Sequence, residues 1–362
     1  MKKIAICTPE ISYGDAVGND IFGMYNVLNN QNFKAGIFAE NILTSKGTAE
    51  NIDYIHNFIK KRDDLVIYHL CTGWFKGLNI LNNLNCKKVI KYHNVTPPDF
   101  FYNFSYDHVA TCSGGIEQLK VVTGLDLDMY LSDSLFNMKE IISMGVDASK
   151  CHVVPPFNNI EGLKNLQPDF DILNKYNDGR VNILSVGRIA PNKGFDKLIE
   201  AFYIYHNYYN SESRLLIVGN QQHRLSTYID YLYDKVNRLK LQDCVLFTGK
   251  VNDEQLKSYY LISKIFALTS YHEGFCVPLI EAMSMKIPVV AYNSTAVSDT
   301  VGNAGVLWDD LNTDLIAATF NEIIVSEETY FYLGEAGWRR YRNNFTNEII
   351  EKKFLNLICE FL

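Results

Sequence analysis

The sequence predicts an α/β protein made of two doubly wound parallel sheets. Three observations carry the prediction. With 362 residues the chain exceeds what one ordinary core organises, so two domains are expected. Short β-branched runs alternate with stretches of helical period along its whole length, the pattern of parallel sheets covered by helices. The strand-like runs also fall into two sets of about six, divided by a stretch rich in proline and asparagine. A single (β/α) barrel would alternate too, but it leaves the positions of the motifs below unexplained. No fixed-period repeat is present.

In the first set the expected strands are Lys3–Cys7, Phe33–Phe38, Leu65–His69, Lys88–Tyr92, His108–Cys112 and Met129–Leu131. In the second they are Asn182–Val186, Arg214–Val218, Cys244–Thr248, Ile265–Leu268, Pro288–Tyr292 and Gly305–Leu307. After the first strand, Ile21, Met24, Val27 and Leu28 recur at helical spacing. After Val186 the same spacing appears in Phe195, Leu198, Ile199 and Phe202. The divide is placed at Val153-Val154-Pro155-Pro156-Phe157-Asn158-Asn159. This gives a first domain of 1–157 and a second segment of 158–345, linker included, with a helix near Ile160–Leu166. Residues 346–362 read as an amphipathic helix.

Composition narrows the function. Apolar residues make up 47% and charged residues 21%, ordinary values for a soluble globular protein. No apolar run is long enough to span a bilayer. Met1 to Cys7 resembles the start of a signal peptide, but Pro9, Glu10 and Asp15 end the apolar stretch at once, so it reads as a strand. The eight cysteines are scattered with no Cys-x-x-Cys pair, which fits reduced thiols in a cytoplasmic protein rather than a zinc site. A net charge of −7 argues against nucleic acid as a partner. Lys60-Lys61-Arg62 and the group Lys87, Lys88, Lys91 are candidates for an anionic acceptor or a peripheral membrane contact; each alone also fits a solvated face.

The chemistry concentrates in the second half. Ser270-Tyr271-His272-Glu273-Gly274-Phe275-Cys276-Val277-Pro278-Leu279-Ile280-Glu281 follows an apolar strand. Pro278 suits the first helical position, so Glu273 lies on a loop and Glu281 near the start of a helix. Free amides from Gly274 to Val277 and the helix dipole suit a phosphate, while carboxylates suit the hydroxyls of a sugar. Phosphate beside polyol describes a nucleotide sugar. Upstream, Gly187-Arg188-Ile189-Ala190-Pro191-Asn192-Lys193-Gly194 forms a turn between strand and helix. Arg188 supplies a planar fork and Lys193 a mobile charge, enough to hold a diphosphate without a metal.

These two segments, in this order and separation, resemble retaining glycosyltransferase family 4. That family has the GT-B fold, two Rossmann-like domains facing a cleft. The resemblance is specific over Asn182 to Trp308. It implies that Arg188 and Lys193 grip the donor diphosphate, that Glu281 binds the ribose, and that Glu273 lies near the transferred sugar. Gly187, Asn220, Val251, Gly274, Phe275, Cys276 and Val277 complete the donor side. It also implies that the C-terminal helix crosses back to the first domain.

In the first domain, Gly14, Asp15 and Gly18 lie on a loop expected to face the cleft. The family often has a Gly-Gly pair there; Asp15 and Ala16 stand at those positions instead. Asp15 could bind an acceptor hydroxyl or simply cap a helix. His93 ends the strand Lys88–Tyr92, and the resemblance places a histidine there against the donor sugar; the alternative is a structural histidine. His69 is a weaker candidate of the same kind. Ser132 to Asn137 reads as helix capping, and Asp126-Leu127-Asp128 as a chance likeness to a metal-binding motif.

The expected function is metal-independent, retaining transfer of a hexosyl group from a UDP- or GDP-linked sugar to a glycan, lipid-linked or other hydroxyl acceptor, with no cofactor. The expected location is the cytoplasm, peripheral at the membrane face in one version. A sugar-nucleotide epimerase on the same fold and a non-catalytic nucleotide-sugar-binding subunit are the alternatives. The absence of Gly-x-Gly-x-x-Gly after either first strand counts against a dinucleotide dehydrogenase.

Overall fold

A computed structural model describes residues 2–45 and 47–362. The chain divides into two compact units. The first comprises Met1–Pro98, Val109–Asn158 and Asn344–Leu362; the second comprises Asp99–His108 and Asn159–Asn343.

The first unit holds strands β1 (Lys3–Ile11), β2 (Lys34–Ile42), β3 (Glu50–Asn51), β4 (Leu65–Leu70), β5 (Lys87–Tyr92), β6 (Met129–Ser132) and β7 (Cys151–Val153). They form one sheet in the order β3-β2-β1-β4-β5-β6-β7. All its pairings are parallel. The order reverses between β1 and β4, which places the crevice typical of such sheets at the carboxyl ends of those strands. Alternate residues feed two cores. Ala5, Cys7, Val66, Tyr68 and Ile90 face one layer. Ile4, Ile6, Leu65, Ile67, Val89 and Leu131 face the other, which is covered by helix α1 (Ala16–Asn30) and by the C-terminal helix Asn347–Phe361 through Ile350, Phe354 and Ile358.

The second unit holds β8 (Val181–Val186), β9 (Ser213–Val218), β10 (Val245–Gly249), β11 (Ile265–Leu268), β12 (Val289–Tyr292) and β13 (Val306–Trp308). Their order is β10-β9-β8-β11-β12-β13, again all parallel. The reversal falls between β8 and β11, the two strands whose following loops carry Arg188, Lys193 and Glu273. Helix α2 (Phe195–Tyr208) buries Phe195, Leu198, Ile199 and Phe202. Helices α3 (Asp253–Leu261) and α4 (Val277–Ser284) flank β11 in sequence.

Three expectations are corrected. His108–Cys112 is not a strand; it lies in the helix Tyr106–Thr123, whose buried Gly115, Gln118, Leu119 and Val122 keep a helical spacing that the β-branched Val109 and Thr111 obscured. The linker carries a second helix, Phe170–Tyr176, started by Asp169, whose carboxylate accepts from the amides of Asp171 and Ile172. Lys91 is not part of a surface patch: it is fully buried in β5. All eight cysteines are free thiols. Among the described residues no helix is long and apolar enough to cross a membrane.

Candidate active site

The second unit's site grows from the loop after β8. Gly187 N–H donates to Val218 O at 2.9 Å and Ile189 N–H to Asn220 O at 3.1 Å, fastening this loop to the one after β9. Gly219 N–H then donates to Gly249 O at 3.2 Å, which brings the turn before Val251 alongside. A Cβ on Gly219 would lie 1.8 Å from Gly187 O, so only glycine permits this approach. Gly194 has φ +64° and would carry a Cβ 2.2 Å from Thr269 O; here too only glycine fits. Tyr271 N–H donates to Asn192 O at 2.8 Å, and Asn192 Nδ2 to His272 O at 3.2 Å. The loops after β8 and β11 are thereby stitched together.

The stitching sets the charges. Lys193 Nζ lies 2.7 Å from Glu273 Oε1, with side chains 18% and 7% exposed. Glu273 is fixed at its backbone by Thr295, whose hydroxyl accepts from Glu273 N–H and donates to Glu273 O, both at 2.8 Å. Arg188 is exposed on the same loop as Lys193. His272 is buried, and desolvation pulls its imidazole down to about 4, so it is neutral at physiological pH. Cys276 sits at the start of α4 with φ +72°, the left-handed region. Its thiol is pushed well up, first by burial and then by Glu273, which leaves it inert. Phe275 is buried, and its carbonyl accepts from Thr300 Oγ1 at 2.7 Å. Glu281, on α4, accepts from the buried Tyr260 hydroxyl at 2.6 Å. Burial raises its carboxyl to about 7, with Tyr260 pulling the other way.

The segment Asp99–His108, although it follows β5 in sequence, packs within this unit. Phe104 meets Tyr228 edge-on at 5.1 Å, and Phe100 stacks on Tyr271 at 6.1 Å. Nothing in the sequence reading anticipated that.

The first unit holds a second charged cluster. Lys91 Nζ lies 2.5 Å from Asp133 Oδ1 and 3.7 Å from Asp20 Oδ2. His93 Nδ1 donates to Asp133 Oδ2 at 2.9 Å, and its Nε2 meets His69 Nδ1 at 2.8 Å. Asp20 Oδ1 accepts from Phe157 N–H at 2.8 Å. Burial raises the Asp20 carboxyl against the pull of Lys91 and His93. Burial opposes ionisation of Asp133 too, but His93 and Lys91 outweigh it and hold that carboxyl below its ordinary value. His69 is pushed well down, chiefly by desolvation. Asp20, His69 and His93 present metal-ligand atoms within 4.8 Å of one another. Lys91 already supplies a cation beside Asp20, and the imidazole contact would have to open to admit a metal.

Sequence reasoning did not assign Asp20 to a site, read Asp133 as part of a helix-capping segment, and placed Lys91 in a candidate surface patch. The signal was available in the alternation: His69, Lys91, His93 and Asp133 continue the parity of Leu65, Val89 and Leu131, so all project on the α1 face. Asp15 is exposed and caps α1, accepting from Gly18 N–H at 2.7 Å. Gly14 has φ +83°, and a Cβ on Gly18 would lie 2.1 Å from Ser12 O. Ser134 caps the helix Leu135–Ser143. Asp126 pairs with Lys150 on the surface at the amino end of β6, away from the carboxyl ends where the other residues gather.

Comparison with known proteins bears on this geometry. Residues 169–340 match the family described as Glycosyl transferases group 1. The chain is similar to this family over that stretch, just under half of its length. The amylovoran biosynthesis glycosyltransferase AmsD of Erwinia amylovora is 26% identical over 68% of this chain and 63% of its own length. Mannosylfructose-phosphate synthase of Agrobacterium fabrum is 31% identical over 50% of this chain and 40% of its own. The matched regions thus span less than two thirds of these relatives. Among solved structures, Anabaena HepE in complex with UDP and glucose superposes with TM-score 0.75 at 17% identity, covering 99% of this chain and all of that one. The chain has the GT-B fold, with two parallel-sheet α/β domains.

Proposed function

We propose that this chain is a group 1 glycosyltransferase that transfers a hexosyl group from a nucleotide diphosphate sugar to a hydroxyl acceptor, with retention of anomeric configuration and without a metal. The observation that carries the reading is the meeting of Lys193 and Glu273 at 2.7 Å, beside Arg188, at the reversal point of the second sheet. A cation and a carboxylate there suit a guest that is anionic at one end and hydroxylated at the other. The diphosphate takes Lys193 and Arg188; the sugar hydroxyls take Glu273, which Lys193 releases. Glu281 accepts from the ribose diol. As the anomeric bond stretches, charge grows on the leaving phosphate oxygen, and Arg188, Lys193 and the amides from Gly274 to Val277 stabilise it. The departing phosphate takes the acceptor's proton, since no side chain near Glu273 stands as a covalent nucleophile. HepE binds UDP and glucose, and AmsD acts in amylovoran biosynthesis. These support a nucleotide-sugar donor and a polysaccharide acceptor; a lipid-linked acceptor, a cytoplasmic location and peripheral contact with the membrane are part of the proposal.

A thermal-shift panel with UDP, GDP, dTDP and ADP tests the donor site, followed by turnover with the matching sugar nucleotides. A nucleotide at about 100 times its dissociation constant adds roughly 2.7 kcal/mol of stability. No shift with any of the four removes the donor-site assignment.

A further inference from the structure

We propose that His69 is a positioning residue of the first unit, which fixes the tautomer and orientation of the His93 ring and, through it, the rate of transfer. The proposal rests on the proposed function and on the expectation, implied by the family resemblance, that His93 lies against the donor sugar. Both nitrogens of His93 are engaged, Nδ1 by Asp133 at 2.9 Å and Nε2 by His69 at 2.8 Å. An ionised carboxylate only accepts, so Nδ1 of His93 carries a proton. A hydrogen bond between two imidazole nitrogens needs one proton, and burial keeps His69 neutral with a single ring proton. Two arrangements satisfy these conditions. Either His69 Nδ1–H donates to a bare His93 Nε2, or a doubly protonated His93 donates to His69. In both, rotating the His93 ring would set carbon against Asp133 and against His69. The ring centroids lie 5.0 Å apart with planes 24° apart, consistent with an edge-to-edge contact through that hydrogen bond.

His69 is placed for this task by register. It ends β4 opposite Lys91 of β5, and His93 follows two residues later on the same face. His69 is 1% exposed, and its Nε2 has no hydrogen-bond partner among the described residues. A neutral apolar residue there would remove the unpaired Nε2 but would leave His93 Nε2 without its partner, so the histidine serves that one bond. The His93 side chain is only 5% exposed although the residue as a whole is half-buried, so what it presents outward is mainly backbone. That backbone turns at Asn94, with φ +77°, and His93 N–H donates to Leu70 O at 3.0 Å, next to His69. The ring therefore anchors the peptide that ends β5.

The test uses the full chain with His69→Leu, which removes both nitrogens, and His69→Asn, whose amide reproduces Nδ1. Three readouts are taken: the ¹⁵N shifts of the His93 ring, kcat and KM for the donor, and affinity for the nucleoside diphosphate. His69→Leu is expected to move the His93 ring shifts and to lower kcat by about 10- to 100-fold, the scale of a misplaced group. Nucleotide affinity should stay within about twofold of wild type, and His69→Asn should restore both the shifts and most of kcat. If His69→Leu leaves the His93 shifts at wild-type values, or if His69→Asn restores neither, the proposal is overturned. Should His69→Leu not fold, His69→Asn against His69→Ser gives the same comparison. A His93→Ala variant with undiminished kcat removes His93 from transfer, and with it His69's effect on rate. A wild-type protein that turns over no donor defeats the proposed function instead, and the ring shifts alone then decide whether His69 positions His93.

Discussion

Donor affinity should depend on pH through Glu281. Burial pushes this carboxyl up to about 7 from an ordinary 4.5, and Tyr260 donates to it at 2.6 Å. A ribose diol donates two hydrogen bonds, so it favours the ionised carboxylate, an acceptor only. With the group half ionised near 7, about a tenth is ionised at pH 6 and about nine tenths at pH 8, so affinity should fall about tenfold from pH 8 to pH 6 and about tenfold per unit below that. An unshifted carboxyl would leave affinity almost flat over the same range. The sign follows from linkage: the free protein holds the proton, and the bound state must release it. A sugar nucleotide is the right probe, because its diphosphate does not titrate near neutrality as a terminal phosphate does. Titration calorimetry at pH 5.5, 6, 7 and 8 reads the profile, with Glu281→Gln expected to bind weakly and without pH dependence. Tyr260→Phe removes a hydrogen bond to a charged group worth about 1.5 kcal/mol, so its midpoint should move up by about one pH unit. A flat wild-type profile, or one that persists in Glu281→Gln, refutes the assignment of Glu281 to the ribose.

Four further outcomes follow from the geometry. Arg188→Ala should lower kcat/KM more than it lowers nucleotide affinity, and Arg188→Lys should fall between it and wild type, having the charge without the planar fork; steady-state kinetics beside direct binding makes the comparison. Lys193→Ala and Glu273→Ala each leave one member of a nearly buried pair uncompensated, so each should cost about 1–3 kcal/mol in chemical denaturation, while the double variant costs less than their sum. Only Lys193→Ala should also weaken binding of the bare nucleoside diphosphate; equal weakening by Glu273→Ala would undo the division of roles between phosphate and sugar. Turnover should survive EDTA, and activity lost to EDTA but restored by Mn²⁺ or Mg²⁺ would remove the metal-free account.

The strands were most legible where a compact apolar run is buried on both faces, as in Ile265–Leu268. The loop chemistry of the second unit was legible for a related reason. Lys193 and Glu273 lie at the carboxyl ends of β8 and β11, and a parallel order reversing between those strands must bring them together. What failed was local. His108–Cys112 has two β-branched residues, Val109 and Thr111, among five but belongs to a helix of 18, and a short window cannot weigh Gln118, Leu119 and Val122 farther along. Lys91 was read as surface because lysine usually is; its burial depends on Asp133 and Asp20, remote in sequence, and no window around residue 91 contains them.

The two charged clusters have different thermodynamic characters, and the difference bears on where the molecule can respond to a ligand. In the first unit Lys91 is fully buried between Asp20 and Asp133, and breaking such a pair by removing one partner costs about 3–5 kcal/mol. Asp20 is tied to Phe157 and Asp133 to His93, so each carboxylate is also held by a second, buried neighbour. That cluster is built to stay as it is. In the second unit Lys193 and Glu273 form a pair whose lysine side chain, with four rotatable bonds, is 18% exposed. A diphosphate carries more charge than one carboxylate, so it can draw Lys193 away at little cost, and the carboxylate it leaves is then open to hydroxyl donors. The pair keeps both groups compensated until the ligand that needs them arrives. A rigid histidine anchor in one unit and an exchangeable ion pair in the other is the division of labour expected when one half must hold geometry and the other must admit and release a charged substrate.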